Sequence, residues 1–369
     1  MSRRSRASGP RRAIDSVAAA GDVYLCSPGF EHDLSREVQS GGGRPTVFPG
    51  GIVSAGARPV VDPVFARQVL PRARLLEGIG PTALADAILE HAGPQEGALL
   101  SGRSIVQVFA PDFLRRGSSR PEPHPLSRAV SELASLLQRK IEGRARKKAV
   151  ASTSTSEGHQ WQMQVLLIDG WRAWCSLHPC QETAGLSSWP SLFPGGRAPV
   201  AGHEDAPSSA YRKLVEGLAW VGSVPREFDL VLDLGAAPGG WTYVALAEGA
   251  RVHAYDRADL DPKLARHPRL THRRQDAYSC DEFEQATWLI CDVIDVPGKT
   301  LALVERALAT PSLQAMVVTI KLKATLDHGV LVAAKTLADS GRHLGWSTRV
   351  KHLVHNKQEV TFLAKRAQS

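Results

Sequence analysis

A strand that ends in glycines opens the most informative part of the sequence. Residues 230–243 read LVLDLGAAPGGWTY, with Gly235, Gly239 and Gly240 around Pro238. Glycine lets a backbone turn sharply and approach a ligand closely, so such a loop between a strand and a helix is typical of a nucleotide site. The spacing is not GxGxxG, whose helix N-terminus holds a pyrophosphate. It therefore favours a ligand without phosphates.

Two acidic residues after the next strands could complete this site. Asp256 ends the strand RVHAYD, roughly 20 residues past the loop, where a carboxylate can hydrogen-bond a ribose. The same acid would mark NAD in a dehydrogenase, so Asp256 alone does not distinguish the two cofactors. Asp276 follows the third strand, where it either contacts an adenine amino group or caps a helix.

An alternation of strands and helices must position these residues. Strands LVLDLG, RVHAYD, TWLICDVID and AMVVTIKL are separated by helical segments, which predicts a parallel sheet with helices on both faces. The chain closes with two adjacent strands, STRVKHLVH and EVTFLAKR. This closing hairpin inserts one antiparallel strand, a feature of class I methyltransferase domains that plain dinucleotide-binding domains lack.

The segment DLGAAPGGW resembles the S-adenosylmethionine loop of the FtsJ-like 2′-O-ribose methyltransferases, and this resemblance covers residues 209–369. It implies a class I, Rossmann-like α/β methyltransferase domain with a mostly parallel seven-stranded sheet and S-adenosylmethionine as cofactor. The cofactor-binding residues that it implies are Asp233, Gly235, Ala236, Ala237, Pro238, Gly239, Gly240, Trp241, Asp256, Asp276 and Asp292.

The same family pattern includes a Lys-Asp-Lys-Glu tetrad at four separated positions. The four matching segments here are SSAYRKL, LICDVID, VVTIKLK and EVTFL, which supply Lys213, Asp292, Lys321 and Glu359. Lys323 is the alternative to Lys321 for the catalytic position on this strand, because residues two apart on a strand point to the same face. The resemblance requires no metal.

The tetrad suits a weak nucleophile. A ribose 2′-hydroxyl must be deprotonated, or held in line with the methyl group that it attacks. Lysine acts as a base only when neutral, a state that burial or a neighbouring cation favours by lowering its pKa. Lys321 is the candidate base and Lys213 the second cation. Asp292 is expected to orient the hydroxyl and Lys321, and Glu359 to fix Lys213 or Lys321.

The N-terminal half narrows the resemblance to one branch. YLCSPGFEHDLSREV and DPVFARQVL resemble the start of the RlmM-type 23S ribosomal RNA cytidine 2′-O-methyltransferases. The implied organisation is a basic disordered arm over 1–20, a ferredoxin-like α+β segment over 21–97, a THUMP-like RNA-binding domain over 98–186, a linker over 187–208 and the methyltransferase domain over 209–369. Removal of the N-terminal half, residues 1–185, is then expected to weaken RNA binding without unfolding the catalytic half.

Charge supports a nucleic-acid partner independently. The net charge of +8 favours polyanionic partners. The resemblance implies that this partner is large-subunit (23S) ribosomal RNA. Two basic loops are expected either to contact phosphates or only to aid solubility: Arg115, Arg116 and Arg120 in one, and Arg144, Arg146, Lys147 and Lys148 in the other. Trp161, Trp171 and Trp174 are expected to pack in a core or between domains rather than to stack on bases.

Cysteine usage and hydropathy indicate the cellular compartment of the protein. The five cysteines are scattered without a CxxC, which argues against a zinc site or disulfides and favours a reducing cytoplasm. No apolar run approaches the roughly 20 residues of a membrane helix. We expect a cytoplasmic monomer that binds neither membrane nor metal. The Arg/Ser-rich start fits a basic arm better than a transit peptide, because it lacks an amphipathic apolar face.

Several other functions remain open at this point. Amino-group methyltransferases carry [D/N]PP[Y/F] after strand four, which the segment CDVID lacks. Cytosine C5 methylation needs a nucleophilic cysteine, but Cys291 follows an apolar strand and is expected to be buried. A dehydrogenase would need GxGxxG. The remaining alternatives are an RNA-binding module with an inactive methyltransferase domain and a 2′-O-methyltransferase for another RNA.

Overall fold

The computed structural model describes residues 21–56, 62–93, 97, 99, 104–112, 125–149, 160–180, 185–186, 189–322 and 328–367. The chain divides into two compact units. One comprises Met1–Pro63 and Gln68–Cys180, and the other comprises Val64–Arg67 and Gln181–Ser369. The predicted basic arm, Arg115, Arg116, Arg120 and Lys323 lie outside the described residues, as do the side chains of Lys147 and Lys148.

The first unit contains one seven-stranded sheet, in the order β2-β3-β1-β4-β7-β6-β5. Its elements are β1 (Gly21–Leu25), α1 (Glu31–Ser40), β2 (Thr46–Phe48), β3 (Ile52–Ser54), β4 (Gln68–Glu77), α2 (Pro81–His91), β5 (Ser104–Phe109), α3 (Ser127–Ala149), β6 (Gln160–Asp169) and β7 (Arg172–Cys180). β4 pairs with β7, so strands of the predicted ferredoxin-like and THUMP-like segments share this sheet. The boundary between these segments stays a prediction.

The described helix α3 corrects one sequence-based expectation. A basic loop was expected from residue 144, but α3 continues to Ala149. The segment RARKKA consists of good helix formers, and cations near a helix C-terminus complement its dipole. The helix-breaking Ser/Thr run begins only at Ser152. The basic residues of this segment therefore lie on a helix.

The tryptophans of the β6–β7 hairpin behave largely as expected. Trp174 is 1% exposed and packs edge-on against Phe48, with ring centroids 6.2 Å apart. Trp171 is half-buried and packs against the core between the sheet and helices α2 and α3. The expectation of core packing is thus confirmed for these two residues. Trp161 is half-buried at the start of β6.

The second unit has a mostly parallel seven-stranded sheet in the order β10-β9-β8-β11-β12-β14-β13, which confirms the predicted fold class. Its helices and strands are α4 (Tyr211–Val221), β8 (Leu230–Leu234), α5 (Gly240–Ala247), β9 (Arg251–Tyr255), α6 (Pro262–Ala265), β10 (Leu270–Arg273), β11 (Trp288–Cys291), α7 (Pro297–Ala309), β12 (Ala315–Lys321), α8 (His328–His343), β13 (Trp346–Lys351) and β14 (Glu359–Arg366). β14 runs antiparallel to both of its neighbours. The strand order reverses between β8 and β11, where open α/β sheets bind ligands at the carboxyl ends of their strands.

A tetrapeptide from the N-terminal half belongs to this second unit. The His352 N–H donates to the Val64 carbonyl at 2.8 Å, and the buried Lys351 ammonium donates to the Ala66 carbonyl at 3.0 Å. Phe65 is fully buried, with its ring centroid 5.6 Å from that of His352. Removal of residues 1–185 would delete these buried contacts, and the expectation that the catalytic half stays folded without them stays a prediction.

The described part of the predicted linker packs within the second unit. The Trp189 ring lies 3.8 Å from Lys351 Nζ and 6.5 Å from the Trp220 ring, measured to its centroid. Gly196 is buried against the backbone of Arg67, where an added Cβ would lie 2.1 Å from the carbonyl oxygen. Glycine at position 196 therefore allows close packing. Of the helices in the described ranges, none is long and apolar enough to cross a membrane.

Candidate active site

The glycine loop after β8 adopts a backbone that side chains would obstruct. Gly235 has φ +79°, and a Cβ there would lie 2.7 Å from a methyl carbon of Val293. Gly239 has φ +115°, and its Cβ would lie 2.5 Å from a methyl carbon of Leu264. An L-residue is strained at either φ, so both positions require glycine. The loop thus presents bare backbone at the carboxyl end of β8.

The other loop residues connect this turn to its surroundings. The Ala236 N–H donates to the Tyr255 carbonyl at 3.3 Å, and the Pro238 carbonyl accepts the Asp261 N–H at 2.9 Å. Gly240 begins α5 so close to Ser208 that an added Cβ would lie 2.4 Å from the hydroxyl oxygen. The loop is therefore fixed from both sides before any ligand binds.

Trp241 anchors the first turn of α5. Its side chain is 3% exposed, and its indole N–H donates to the Ala210 carbonyl at 2.9 Å. Ala210 directly precedes α4, the helix that carries Lys213. Trp241 thus links the glycine loop to the helix of the first tetrad lysine, and its predicted contact with the cofactor stays a prediction.

Asp256 lies beside the loop, as expected. Its carboxylate accepts the Ala237 N–H at 3.0 Å and the Ala258 N–H at 2.8 Å. These bonds fasten the end of β9 to the glycine loop. Contact of Asp256 with a ribose stays a prediction.

Asp233 is the buried acid of the loop motif. It is 1% exposed, and its Oδ2 accepts the Thr242 hydroxyl at 2.5 Å. Its Oδ1 is buried without a hydrogen-bond partner among the residues that the structure describes. Burial, reinforced by the charges of Asp292 and Asp256, raises the pKa of Asp233 to about 7. Such an acid can accept a bond from a donor that a ligand brings.

Asp276 caps a short helical turn, which is the alternative that the sequence left open. Its Oδ1 accepts the Tyr278 N–H at 2.9 Å at the start of the 3-10 helix Ala277–Ser279. Its Oδ2 also pairs with the Arg257 guanidinium. The backbone bond and the nearby guanidinium hold the pKa of Asp276 below its usual value. Contact with an adenine stays a prediction.

The structure brings the four tetrad residues together. Lys213 Nζ lies 2.5 Å from Asp292 Oδ2 and 3.0 Å from Glu359 Oε1. Lys321 Nζ lies 2.7 Å from Asp292 Oδ1 and 2.6 Å from Glu359 Oε2. Each lysine therefore bridges both carboxylates in a closed ring of alternating charge. All four side chains are between 8% and 17% exposed, so the ring is largely withdrawn from water.

Three strand ends and one helix build this ring. Lys321 ends β12 and pairs directly with Glu359, the first residue of β14. Asp292 follows β11, and Lys213 lies in the first turn of α4. Carboxyl ends of neighbouring parallel strands meet at one edge of a sheet, and the antiparallel β14 brings its first residue to that same edge. The ring therefore begins beside β8 and its glycine loop, at the end of the neighbouring β11, and extends across β12 to β14.

The charges of the ring stabilise one another. Burial alone would raise the pKa values of Asp292 and Glu359, but the two lysines outweigh it and hold both below their usual values. Burial alone would lower the pKa of Lys321, but Asp292 and Glu359 hold it above its usual value. Lys321 is therefore an ammonium group in this structure, whereas the sequence-based role of a base requires the neutral form.

Glu216 was missed by the sequence analysis. It lies one helical turn after Lys213 on α4, and it is 1% exposed. Its carboxylate accepts the Val354 N–H at 2.8 Å and the His355 N–H at 3.0 Å. Burial raises the pKa of Glu216 to about 7. Glu216 thus binds α4 to the segment that leads into Glu359. Its spacing of three residues from Lys213 was the available signal.

One chemical alternative, cytosine C5 methylation, finds little support in the site. Cys291 is fully buried, and burial raises the pKa of its thiol to about 12, so it is no nucleophile here. This confirms the expected burial of Cys291. In the part of the chain that the structure describes, no group of three or more His, Cys, Asp or Glu side chains is arranged to hold a metal ion.

Comparison with known proteins identifies the family. A family model described as FtsJ-like methyltransferase matches residues 207–347. The ribosomal RNA large subunit methyltransferase M of Halorhodospira halophila is 30% identical over 257 residues, which cover 69% of this chain and 72% of that protein. The chain belongs to the ribosomal RNA large subunit methyltransferase M family. The protein of the same name from Alkalilimnicola ehrlichii is 30% identical, and the match covers 96% of this chain and 97% of that protein. The one from Chromohalobacter salexigens is 28% identical, and the match covers 92% of this chain and 96% of that protein.

Family membership confirms the resemblance drawn from the sequence. The matched range 207–347 contains the glycine loop and three of the four tetrad residues, and Glu359 lies just beyond it. The predicted family, class of enzyme and cofactor class agree with these matches. The roles of individual residues remain proposals.

Proposed function

We propose that this protein transfers a methyl group from S-adenosylmethionine to a ribose 2′-hydroxyl of 23S ribosomal RNA, at a cytidine. The observation that carries the proposal is the closed Lys213–Asp292–Lys321–Glu359 ring at the carboxyl edge of the sheet. Membership of a family whose members are named ribosomal RNA large subunit methyltransferases supports the substrate class. Four assembled tetrad residues argue against an inactive methyltransferase domain.

The residues around the glycine loop fit S-adenosylmethionine. The unpartnered Asp233 Oδ1 suits a cationic or hydroxyl donor, and glycine at 235 allows the positive φ and the close approach to Val293 that shape the loop. Asp256 and the loop residues 235–241 would hold the remainder. When bound, S-adenosylmethionine supplies an electrophilic methyl group.

The tetrad would orient and deprotonate the substrate hydroxyl. Asp292 accepts a hydrogen bond from one lysine at each of its carboxylate oxygens. Fixed donors and acceptors cost no reorganisation during reaction, which is a main source of enzymatic rate enhancement. Lys321 Nζ takes the proton of the 2′-hydroxyl in the fraction of molecules in which it is neutral. Lys213 remains charged and stabilises the alkoxide that forms.

The first unit would supply RNA binding. Arg144 and Arg146 lie on α3, where cations can contact phosphates without reading sequence. The cytoplasmic location and monomeric state expected from the sequence belong to this proposal as well.

The atom that receives the methyl group tests the proposal. The full chain is incubated with isotopically labelled S-adenosylmethionine and 23S ribosomal RNA that lacks modification, and the RNA is then hydrolysed with alkali. A 2′-O-methyl group blocks cleavage of the adjacent phosphodiester, so the label is expected in an alkali-resistant dinucleotide that contains cytidine. Label in mononucleotides indicates base methylation and would overturn the proposal, as would no label at all.

A further inference from the structure

Thr319 makes a contact with the tetrad that the mechanism above does not use. It lies on β12 and is fully buried. Its hydroxyl donates to Asp292 Oδ1 at 2.6 Å, and the Cys291 carbonyl oxygen lies 3.3 Å away. A hydroxyl carries one proton, and a charged acceptor at the shorter distance forms the stronger bond. The proton therefore belongs to the bond with Asp292.

Strand register places this hydroxyl. The last pair between β11 and β12 joins Cys291 to Val318, so Asp292 and Thr319 are the first residues past that pair. At this point Asp292 leaves the sheet, and no further backbone hydrogen bond of the β11–β12 ladder restrains it. Thr is branched at Cβ and stiff at χ1, which gives its hydroxyl a defined direction.

Thr319 and Lys321 converge on one oxygen atom. They lie two residues apart on β12, so their side chains share a face of the sheet. Lys321 Nζ donates to Asp292 Oδ1 at 2.7 Å, beside the Thr319 hydroxyl, while Lys213 holds Oδ2. One donor thus holds Oδ2 and two donors hold Oδ1, which restrains the rotation of the Asp292 carboxylate about its Cβ–Cγ bond.

We propose that Thr319 is a positioning residue that sets the orientation of the Asp292 carboxylate for reaction. This inference rests on the proposed function. Without the hydroxyl, Asp292 keeps its two lysines but can rotate toward either one. Small misplacements of a reacting group cost large factors in rate. The loss is therefore expected in the chemical step rather than in binding of RNA or cofactor.

Two substitutions separate the hydroxyl from packing. Thr319→Val keeps the shape and removes the donor, whereas Thr319→Ser keeps the donor and removes a methyl group. We expect Thr319→Val to lower kcat about 10- to 100-fold, the range for a lost bond to a charged group, with KM for RNA and S-adenosylmethionine unchanged. Thr319→Ser should retain kcat to within about threefold. Equal losses in both variants, or an unchanged kcat in Thr319→Val, would overturn the proposal.

A matched control measures the cost of a Thr-to-Val change alone. Thr348 on β13 is 6% exposed, and its hydroxyl donates to the Ala338 carbonyl at 2.7 Å, away from the tetrad. Thr348→Val is expected to lower the unfolding temperature without changing kcat. A drop in kcat as large as that of Thr319→Val would assign the effect to general destabilisation and overturn the proposal.

A second readout does not depend on activity. Carboxyl carbon resonances report the titration of Asp292 in the full chain, and loss of a donor to an ionised carboxylate raises its pKa. The pKa of Asp292 should be higher in Thr319→Val than in wild type and in Thr319→Ser; equal values would contradict the contact. If the wild-type chain transfers no methyl group, the proposed function fails, and this titration still decides whether Thr319 holds Asp292.

Discussion

Lys321 and Glu359 are directly paired residues of the antiparallel β12–β14 ladder, with Nζ 2.6 Å from Oε2. β14 is the inserted antiparallel strand, so the feature that sets this sheet apart from a plain dinucleotide-binding fold also delivers one member of the tetrad. Reversal of β14 brings its first residue, rather than its last, to the carboxyl edge of the sheet. The topology and the chemistry therefore depend on the same strand.

The rate should depend on pH through Lys321. Its pKa lies above the ordinary value of about 10.4, so at neutral pH nearly all molecules hold the ammonium form. The neutral fraction grows tenfold per pH unit, and kcat is expected to rise about tenfold per unit between roughly pH 7 and 9. Lys321→Arg should be inactive without this rise, because arginine stays protonated. A kcat of the wild type that is flat over that range would rule out Lys321 as the base.

Gly235 should be required for cofactor binding. Gly235→Ala places a methyl group 2.7 Å from Val293 in a backbone with positive φ. We expect at least about tenfold weaker binding of S-adenosylmethionine by calorimetry, because the loop must shift. Gly345→Ala is the matched control, since Gly345 has φ +81° but no atom within 4 Å of its Cβ. If both variants bind equally well, the loop geometry is not what holds the cofactor.

Phe65 should stabilise the second unit although it lies far from it in sequence. Its side chain is fully buried against His352, and Phe65→Ala is expected to cost about 3–5 kcal/mol of unfolding free energy. Hydrogen exchange should accelerate at the His352 amide and its neighbours in β13. Val47→Ala serves as control, because Val47 is 53% exposed. Unchanged exchange around His352 in Phe65→Ala would contradict the placement of Val64–Arg67.

The sequence predicted the catalytic sheet better than the first unit. Strands β8, β9 and β12 carry apolar runs and are recovered to within one residue at each end, whereas the strand predicted over 287–295 was too long, because β11 ends at Cys291. β4 was missed, because QVLPRARLLE combines a proline with two arginines and shows no clean alternation. The insertion of Val64–Arg67 into the second unit was also unpredictable, since a local pattern carries no information about which distant elements a segment contacts.

The site shows the same division. Lys213, Asp292, Lys321 and Glu359 were found through a family pattern, while the ring that they close depends on the pairing of β12 with β14. The raised pKa of Lys321 follows from two carboxylates whose distances only the structure gives. Thr319 and Glu216 escaped notice because a threonine in a strand and a glutamate in a helix are common, and their partners are distant in sequence.

Loss of methyl transfer in Lys321→Ala, with cofactor binding retained, tests the central claim most directly. Initial rates on 23S ribosomal RNA and calorimetric affinity for S-adenosylmethionine are measured for Lys321→Ala, Lys323→Ala and Lys365→Ala; Lys365 lies near the far end of β14 and serves as the control. We predict a rate at least about 1,000-fold lower for Lys321→Ala, which is the combined range for a lost base and a lost electrostatic group. The other two variants should keep the wild-type rate, and the affinity for S-adenosylmethionine should be unchanged in all three. Near-normal turnover in Lys321→Ala, above all together with an inactive Lys323→Ala, would contradict the account.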